Sequence, residues 1–347
     1  MIKIYSNTKV FVYAPYNCIT GGVELLHQLV DFLNRNNIAS YIAYDNNGTL
    51  FNADVPVEYS KYSIKTCDSI EDKPENVVVI PETLYNRIYN TEKTQKLFWW
   101  LSIDNYYQNY PIISVKDLFC WNTRRGIKQA IRRFVLRCIN PSKLEKTVSL
   151  KLLKNSGGLH CYQSEYAQHF LQNKKIEELL PLSDFINTDF FGKDKPLERK
   201  RKVLYNPKKG FKYTKKLIKN SPKDILWVPL INLNREQLIN EFKSSMLYID
   251  FGHHPGKDRI PREAALNGCC VLTNRVGAAG FFEDVAIFQQ YKISEKAPVK
   301  DILNKINYML NNFESITDDF DFYRNRILKE KEIFENQIRE IFNIHAE

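Results

Sequence analysis

Short apolar runs and helical stripes alternate along the chain. Lys9–Pro15 (KVFVYAP) is an unbroken run of β-branched and aromatic residues, the pattern of a buried strand. Beyond a loop, Val23, Leu26, Val30 and Leu33 recur at helical spacing, with Leu25, Leu29 and Phe32 beside them. That predicts an amphipathic helix over Gly22–Arg35. Ser40–Tyr44, Val77–Pro81, Lys96–Ile103 and Leu159–Ser164 read as further strands. The scheme then repeats. Val203–Tyr205, Ile225–Leu230, Met246–Phe251 and Cys269–Asn274 read as strands. Helices are expected from near Thr214 and over Arg235–Ser245, Pro261–Asn267 and Val299–Phe313, the third opened by proline and stopped by Gly268. Phe322–His345 reads as one long terminal helix.

Strands alternating with helices of ~10–15 residues predict βαβ units and parallel sheets. The chain has 347 residues, more than one ordinary core at ~150 residues per domain. We therefore expect an α/β protein of two doubly wound parallel-sheet domains facing a cleft. The first domain spans 1–187, and the polar stretch 188–202, with Pro196, is the linker. The second spans 203–320. A terminal helix, 321–347, is placed to pack back on the first. Ligands of such sheets bind beyond the carboxyl ends of the strands. The loops of interest follow Pro15, Pro81, Ile103, Tyr205, Leu230, Phe251 and Asn274.

Composition narrows the class. With 44% hydrophobic and 26% charged residues the chain is a folded globular one, not a disordered one. Seven cysteines without a CxxC pair argue against a disulfide framework and a cysteine zinc site, so a reducing, cytoplasmic setting is expected. The amino terminus lacks a signal-peptide pattern. The longest uncharged apolar run, near Leu97–Ile103, is far short of the ~18 residues of a spanning helix. Net charge is +10 and uneven. Lys116–Lys154 holds eleven Lys/Arg against two acids, and Lys193–Lys219 twelve against two. Two basic zones on a mildly acidic body point to an anionic partner.

Three loops carry candidate chemistry. Gly21 and Gly22 stand between a buried strand and a helix, where the free N–H groups of the helix favour phosphate. Glu24 is placed to fold back on the helix cap. The plain alternative is a tight turn with a helix-stabilising acid. Asn206-Pro-Lys208-Lys209-Gly210 follows the first strand of the second half, and a lysine there would meet a diphosphate as a point charge. The alternative is a solvated turn. The longest loop runs from Phe251 to Ala279. Glu263, expected in the first helical turn, is suited to accept hydrogen bonds from vicinal hydroxyls, or simply to complement the helix dipole. His253 and His254 lack HxxxH or HxH spacing, so no metal site is assigned.

In order and spacing these pieces resemble the two-domain GT-B glycosyltransferases, in particular the family 4-like (glycosyltransferase group 1) enzymes. The matching segments are GGVELLHQLVDFL, YNPKKG, VPLINLNREQLINEFKSSMLYIDF and IPREAALNGCCVLTNRVGAAGFFEDV, spread over most of the chain. The resemblance implies a nucleotide-sugar donor and a saccharide or lipid-linked acceptor, with no metal or other cofactor. It places Glu263 on the nucleotide ribose and Lys209, with Asn206 and Lys208 beside it, on the diphosphate. Leu230 falls at the base-contacting strand end. Gly21 and Gly22 would close over the phosphates, and Gly277, Ala278 and Ala279 would line the phosphate and sugar. The pattern also departs from the family. The glutamate usual about eight residues before Glu263 is replaced by Pro255-Gly-Lys257-Asp258, where Asp258 is the nearest acid and so a catalytic candidate. The usual arginine before the KG lysine falls at Leu204. Lys202, Lys208 or Lys257 would have to compensate, with Arg259 also in the donor loop. The amino-domain histidine is replaced by Ser102-Ile103-Asp104-Asn105. Retention is usual in the family. If the reaction inverts, Asp104 or Glu82 at a strand end is a candidate base.

Two further zones stand out. Phe98, Trp99, Trp100, Tyr106, Tyr107 and Tyr110 suit either a sugar platform or the core, and the core is favoured for Phe98 and Trp99. In the first basic zone Ile127, Ile131, Phe134, Val135 and Cys138 share a helical face beside Arg124, Arg125, Lys128, Arg132 and Arg133. A basic amphipathic helix reads as binding an anionic membrane surface, here the inner leaflet, or as a surface helix with an ordinary core face. The leading reading is a glycosyltransferase of surface polysaccharide or glycolipid synthesis. A catalytically silent scaffold of the same fold is the alternative. A nucleic-acid binder ranks last, since no matching motif accompanies the basic charge.

Overall fold

The computed structural model describes residues 2–109, 131, 135, 138, 139, 148–187, 197–294 and 296–344. It divides into two compact units. The first comprises Met1–Gln163, Ala167–Ser183 and Glu335–Glu347; the second comprises Ser164–Tyr166 and Asp184–Phe334.

The first unit carries eight strands: β1 Lys9–Pro15, β2 Ala39–Asn46, β3 Thr49–Leu50, β4 Thr66–Cys67, β5 Val77–Pro81, β6 Gln95–Trp100, β7 Leu159–Tyr162 and β8 Leu179–Pro181. They run in the order β3-β2-β1-β5-β6-β7-β8, with β4 also on β2. β3 is antiparallel and the others are parallel. Val77–Ile80 are fully buried, as a parallel strand covered on both faces requires. Helix α1, Gly21–Arg35, starts where Thr20 accepts a hydrogen bond from Val23 N, and it buries Leu25, Leu26, Leu29, Val30, Phe32 and Leu33. Helix α2 spans Ile103–Asn109, α3 Leu150–Asn155 and α4 Glu165–Asn173.

The second unit is built on β9 Lys200–Tyr205, β10 Leu226–Pro229, β11 Ser245–Asp250 and β12 Cys270–Thr273, all parallel, in the order β10-β9-β11-β12. Its helices are α5 Phe211–Asn220, α6 Arg235–Lys243, α7 Arg259–Leu266, α8 Val299–Asn311, α9 Phe313–Ile316 and α10 Asp321–Leu328, followed by α11 Glu330–Phe342. In each sheet the chain reverses its direction of winding once. The reversal falls between β1 and β5 in the first and between β9 and β11 in the second. Loops leaving those strand pairs part, and the gap is where a ligand of a doubly wound sheet sits.

Several elements differ from expectation. β6 ends at Trp100, because Ser102 Oγ accepts Asn105 N at 3.4 Å and starts α2 at Ile103. β9 begins at Lys200, inside the stretch expected as linker, of which residues 188–196 lie outside the described residues. A charged strand residue is tolerated there because Lys202 Nζ donates to Glu241 at 2.8 Å and to Ser244 Oγ at 2.6 Å. α7 starts two residues before Pro261, whose missing N–H lies in the first turn, where no helical partner exists. Glu263 is therefore in the second turn, not the first. The terminal helix is broken at Lys329 into α10 and α11. The residues from Glu335 group with the first unit, where the Arg339 guanidinium stands 5.0 Å over the Phe32 ring.

Candidate functional site

The winding reversal of the second unit is filled by three glycine-dependent loops. After β9, Asn206 accepts Lys208 N and Lys209 N, and the turn closes at Gly210 with φ +60°. A Cβ at Gly210 would stand 2.6 Å from Phe251 O, and one at Gly252 2.5 Å from Lys209 Cβ. Glycine at both positions lets the loop after β9 lie against the end of β11. At Gly277, φ +64°, a Cβ would stand 2.0 Å from His254 O. Ala278 N donates to that same carbonyl at 2.9 Å. So the Ala278 N–H is already committed within the loop expected to line the phosphate, and Ala278 and Ala279 are buried.

This closure assembles a chain of charges. Lys209 Nζ lies 2.5 Å from Asp258 Oδ2. His254, 0% exposed, stands between two carboxylates. Its Nδ1 is 2.8 Å from Asp258 Oδ2 and its Nε2 3.7 Å from Asp250 Oδ1. These are ion-pair distances outside good hydrogen-bond angles. Asp250 is itself fixed by Tyr248 O–H and Gly252 N, both at 3.0 Å. Burial pushes the Asp258 carboxyl up, but His254 and Lys209 outweigh it and hold the group below its ordinary value. Burial pushes His254 down, but Asp258 and Asp250 outweigh it and raise the imidazole. Both charged forms are favoured together.

Arg262, 0% exposed, supports the loop from beneath. Its guanidinium donates to Asp184 at 2.6 Å, Glu330 at 2.7 Å, Asp258 O at 3.1 Å and Lys257 O at 3.0 Å. Lys257 Nζ pairs with Glu330 at 2.8 Å. Burial would lower the guanidinium, and Asp184 and Glu330 more than reverse that. Sequence reasoning missed Arg262 because its partners lie 78 and 68 residues away. Glu263 follows it and is buried. The Tyr248 hydroxyl, raised first by burial and then by Asp250, also feels Asp258 and Glu263, so these carboxylates share one neighbourhood. Leu230 directly follows β10, its N donating to Tyr205 O at 2.9 Å, while Arg259 opens α7 and Lys208 is exposed. The candidates from sequence thus cluster at the ends of β9, β11 and β12.

The first unit's reversal is built differently. Gly21 and Gly22 open α1. A Cβ on Gly22 would make an ordinary contact, 3.5 Å from Leu101 Cδ1, so packing does not demand glycine there. The Glu24 carboxylate accepts Tyr62 O–H at 2.8 Å. Glu82, directly after β5, is buried and accepts Leu101 N at 3.0 Å and Asn105 Nδ2 at 3.4 Å. Burial outweighs these bonds and pushes its carboxyl up to about 7. Asp104, in the first turn of α2, is half-buried beside Asn105.

Phe98, Trp99 and Trp100 are fully buried, and Tyr106 is buried with its O–H on Val148 O at 2.9 Å. The core accounts for all four. The Tyr107 side chain and Tyr110 lie outside the described residues. His160 was missed; it accepts Trp100 Nε1 at 3.1 Å, and burial lowers it to about 4. Asp284 was missed too. It is buried, pushed up to about 6, and it accepts Glu165 N and Tyr166 N. Arg124, Arg125, Lys128, Arg132 and Arg133 lie outside the described residues. Around them Ile131, Val135 and Ile139 are helical and 54%, 44% and 75% exposed.

No family model and no curated protein matches the sequence. Solved structures do match. A sucrose-phosphate synthase from Thermosynechococcus elongatus aligns over 96% of this chain and 98% of its own, with TM-score 0.64 and 10% identity. WaaG, a glycosyltransferase of lipopolysaccharide biosynthesis, aligns over 95% and 99%, with TM-score 0.60 and 9% identity. Anabaena HepE in complex with UDP-glucose aligns over 96% and 98%, with TM-score 0.60 and 10% identity. The chain has the GT-B fold. It spans 62% of TarM, which it matches with TM-score 0.50. Among the described residues of this GT-B chain no helix is long and apolar enough to cross a membrane.

Proposed function

We propose that the protein is a metal-independent glycosyltransferase. It would move a sugar from a nucleotide-sugar to a saccharide or lipid-linked acceptor during surface polysaccharide or glycolipid synthesis. The observation that carries this reading is Lys209, held in a glycine-closed turn at the winding reversal of the second sheet, in the neighbourhood of Glu263. The solved structures of the same fold add support, HepE as a complex with UDP-glucose and starch synthase IV bound to ADP. Lys209 and the amino terminus of α5 behind Gly210 would neutralise the departing diphosphate. Glu263 would accept the ribose hydroxyls. The second unit would serve the donor and the first the acceptor.

A thermal-shift series with uridine, adenosine, guanosine, cytidine and thymidine diphosphates tests this. One of them should stabilise the chain, and Lys209→Ala or Glu263→Ala should weaken that shift by roughly tenfold in ligand concentration. Stabilisation by none of the five sinks the donor reading. Donor hydrolysis without acceptor separates an enzyme from a silent scaffold.

Retention is the outcome implied by the resemblance. Inversion is a second reading, favoured by Glu82, a buried carboxyl near 7 at the reversal of the first sheet. A group with that value gives a base at neutral pH. Product stereochemistry by NMR decides between them, and full activity in both Glu82→Gln and Asp104→Ala would remove both bases. Peripheral attachment to the inner leaflet is supported by the exposed apolar positions Ile131, Val135 and Ile139 in a basic stretch. Charge reversal at Arg132 and Arg133 should abolish binding to anionic vesicles; unchanged binding excludes the membrane role.

A further inference from the structure

Lys209 is already paired. Asp258 Oδ2 lies 2.5 Å from its ammonium, where a diphosphate oxygen would have to stand. The neighbouring charges balance without it. Lys257 and Arg262 answer Glu330 and Asp184. Asp250, buried, and Asp258, nearly so, adjoin this lysine, with Glu263 in the same neighbourhood. The imidazole of His254 stands between them, one nitrogen toward each. A buried carboxylate stripped of its counter-charge is strongly unfavourable. If a ligand takes Lys209, Asp258 needs another cation, and His254 is in place to be it.

We propose that Asp258 is a built-in competitor for the diphosphate: it occupies Lys209 while the site is empty and stays behind on His254 when a ligand takes the lysine. The proposal rests on the donor role given to Lys209 above. It makes Asp258 a positioning residue that sets the affinity of the lysine, with His254 as its second partner. It also couples binding to a proton. The groups facing His254 are Asp250 from β11, Asp258 from the loop before α7 and Lys209 from the loop after β9, with Tyr248 and Glu263 in the same cluster. Burial lowers the imidazole and the two carboxylates raise it, for a net rise above 6.5. The charged form is favoured over that of an ordinary imidazole and is lost as pH rises through the raised value. Removing Lys209 from the cluster takes away a like charge, so ligand binding tightens the proton and the proton tightens the ligand.

Calorimetric titration of the full chain with inorganic pyrophosphate, at about pH 6 and about pH 8, tests this across the range where an imidazole titrates. Asp258→Asn should bind roughly tenfold more tightly than wild type at the higher pH, since a close buried charge pair no longer has to be broken. The wild type should lose more affinity between the two pH values than Asp258→Asn does. The ionisation of pyrophosphate is common to both and cancels. His254→Gln should bind weakly at both. Asp258→Glu should restore the wild-type slope. Asp258→Ser serves as a second neutral variant with the same expectation as Asp258→Asn. Circular dichroism and melting identify variants that do not fold. Binding by Asp258→Asn and Asp258→Ser no tighter than wild type, while Lys209→Ala loses binding, overturns the competitor and leaves the donor lysine standing. Wild-type binding by Lys209→Ala overturns the donor role itself. A thermal upshift with manganese or zinc chloride alone, lost in Asp250→Asn, would put a metal ion where the imidazolium is proposed and overturn it as well.

Discussion

Glu82 at the first winding reversal and the His254–Asp258 pair at the second respond to burial in opposite ways. In the first unit a lone carboxyl, Glu82, meets backbone and amide donors, and burial pushes it toward its neutral form near 7. His160 is likewise driven neutral, to about 4. In the second unit His254 is buried as deeply and Asp258 nearly so, yet His254 is raised and Asp258 lowered, so the charged forms are favoured. The difference is supply of counter-ions. Lys209, Lys257 and Arg262 are interleaved with Asp250, Asp258, Asp184 and Glu330. Burial alone makes a group that exchanges protons near neutrality. Burial with partners makes a fixed field suited to holding an anion.

Four substitutions would break or sharpen this contrast. The largest effect is expected from Arg262→Met, which leaves Asp184 and Glu330 buried without their shared cation and should cost about 3–5 kcal/mol. Because the chain has two units, hydrogen exchange of β11 and α7 is a better readout than a single melting curve. A loss confined to the first unit would refute the assignment. Next is Gly277→Ala. Its positive φ and the approach to His254 O should store about 2–3 kcal/mol of strain, seen as a lower melting temperature and weaker nucleotide binding together. Third is Glu82→Gln. The folded value near 7 lies above the ordinary 4.5. The stability of the neutral form is therefore complete below about 4.5 and is lost as pH rises through about 7. Wild type should lose about 3 kcal/mol over that window in exchange from β5 and β6, and the glutamine variant should not. Equal pH profiles would remove the buried-carboxyl account. Smallest is Thr20→Ala, which deletes the cap of α1 and should cost about 1 kcal/mol in first-unit stability.

Much of the scaffold was readable in the chain because its strands are buried on both faces. Lys9–Pro15 and Val77–Pro81 have the bounds their apolar runs predict. The glycines at 210, 268 and 277 mark positive φ, each after an element whose end the pattern already implied. What escaped was set by distant partners. Lys200–Lys202 read as linker because charge argues against a strand, and Glu241, which neutralises Lys202, lies 39 residues on. Asp258 was visible as an acid where a glutamate was expected. Its pairing with Lys209 depends on two loops closing over glycine, which no local pattern encodes. Arg262 was hidden beside the more conspicuous Glu263.

The guanidinium of Arg262 also bears on how the second unit can be excised. Its two carboxylates come from the very start of that unit, Asp184, and from nearly its last turn, Glu330. A fragment cut at the limits suggested by hydrophobic patterning, 203–320, omits both. Such a piece would be made with an orphaned cation at its centre and should accumulate insoluble, whereas one running from 184 through 334 retains the clasp that joins its two ends.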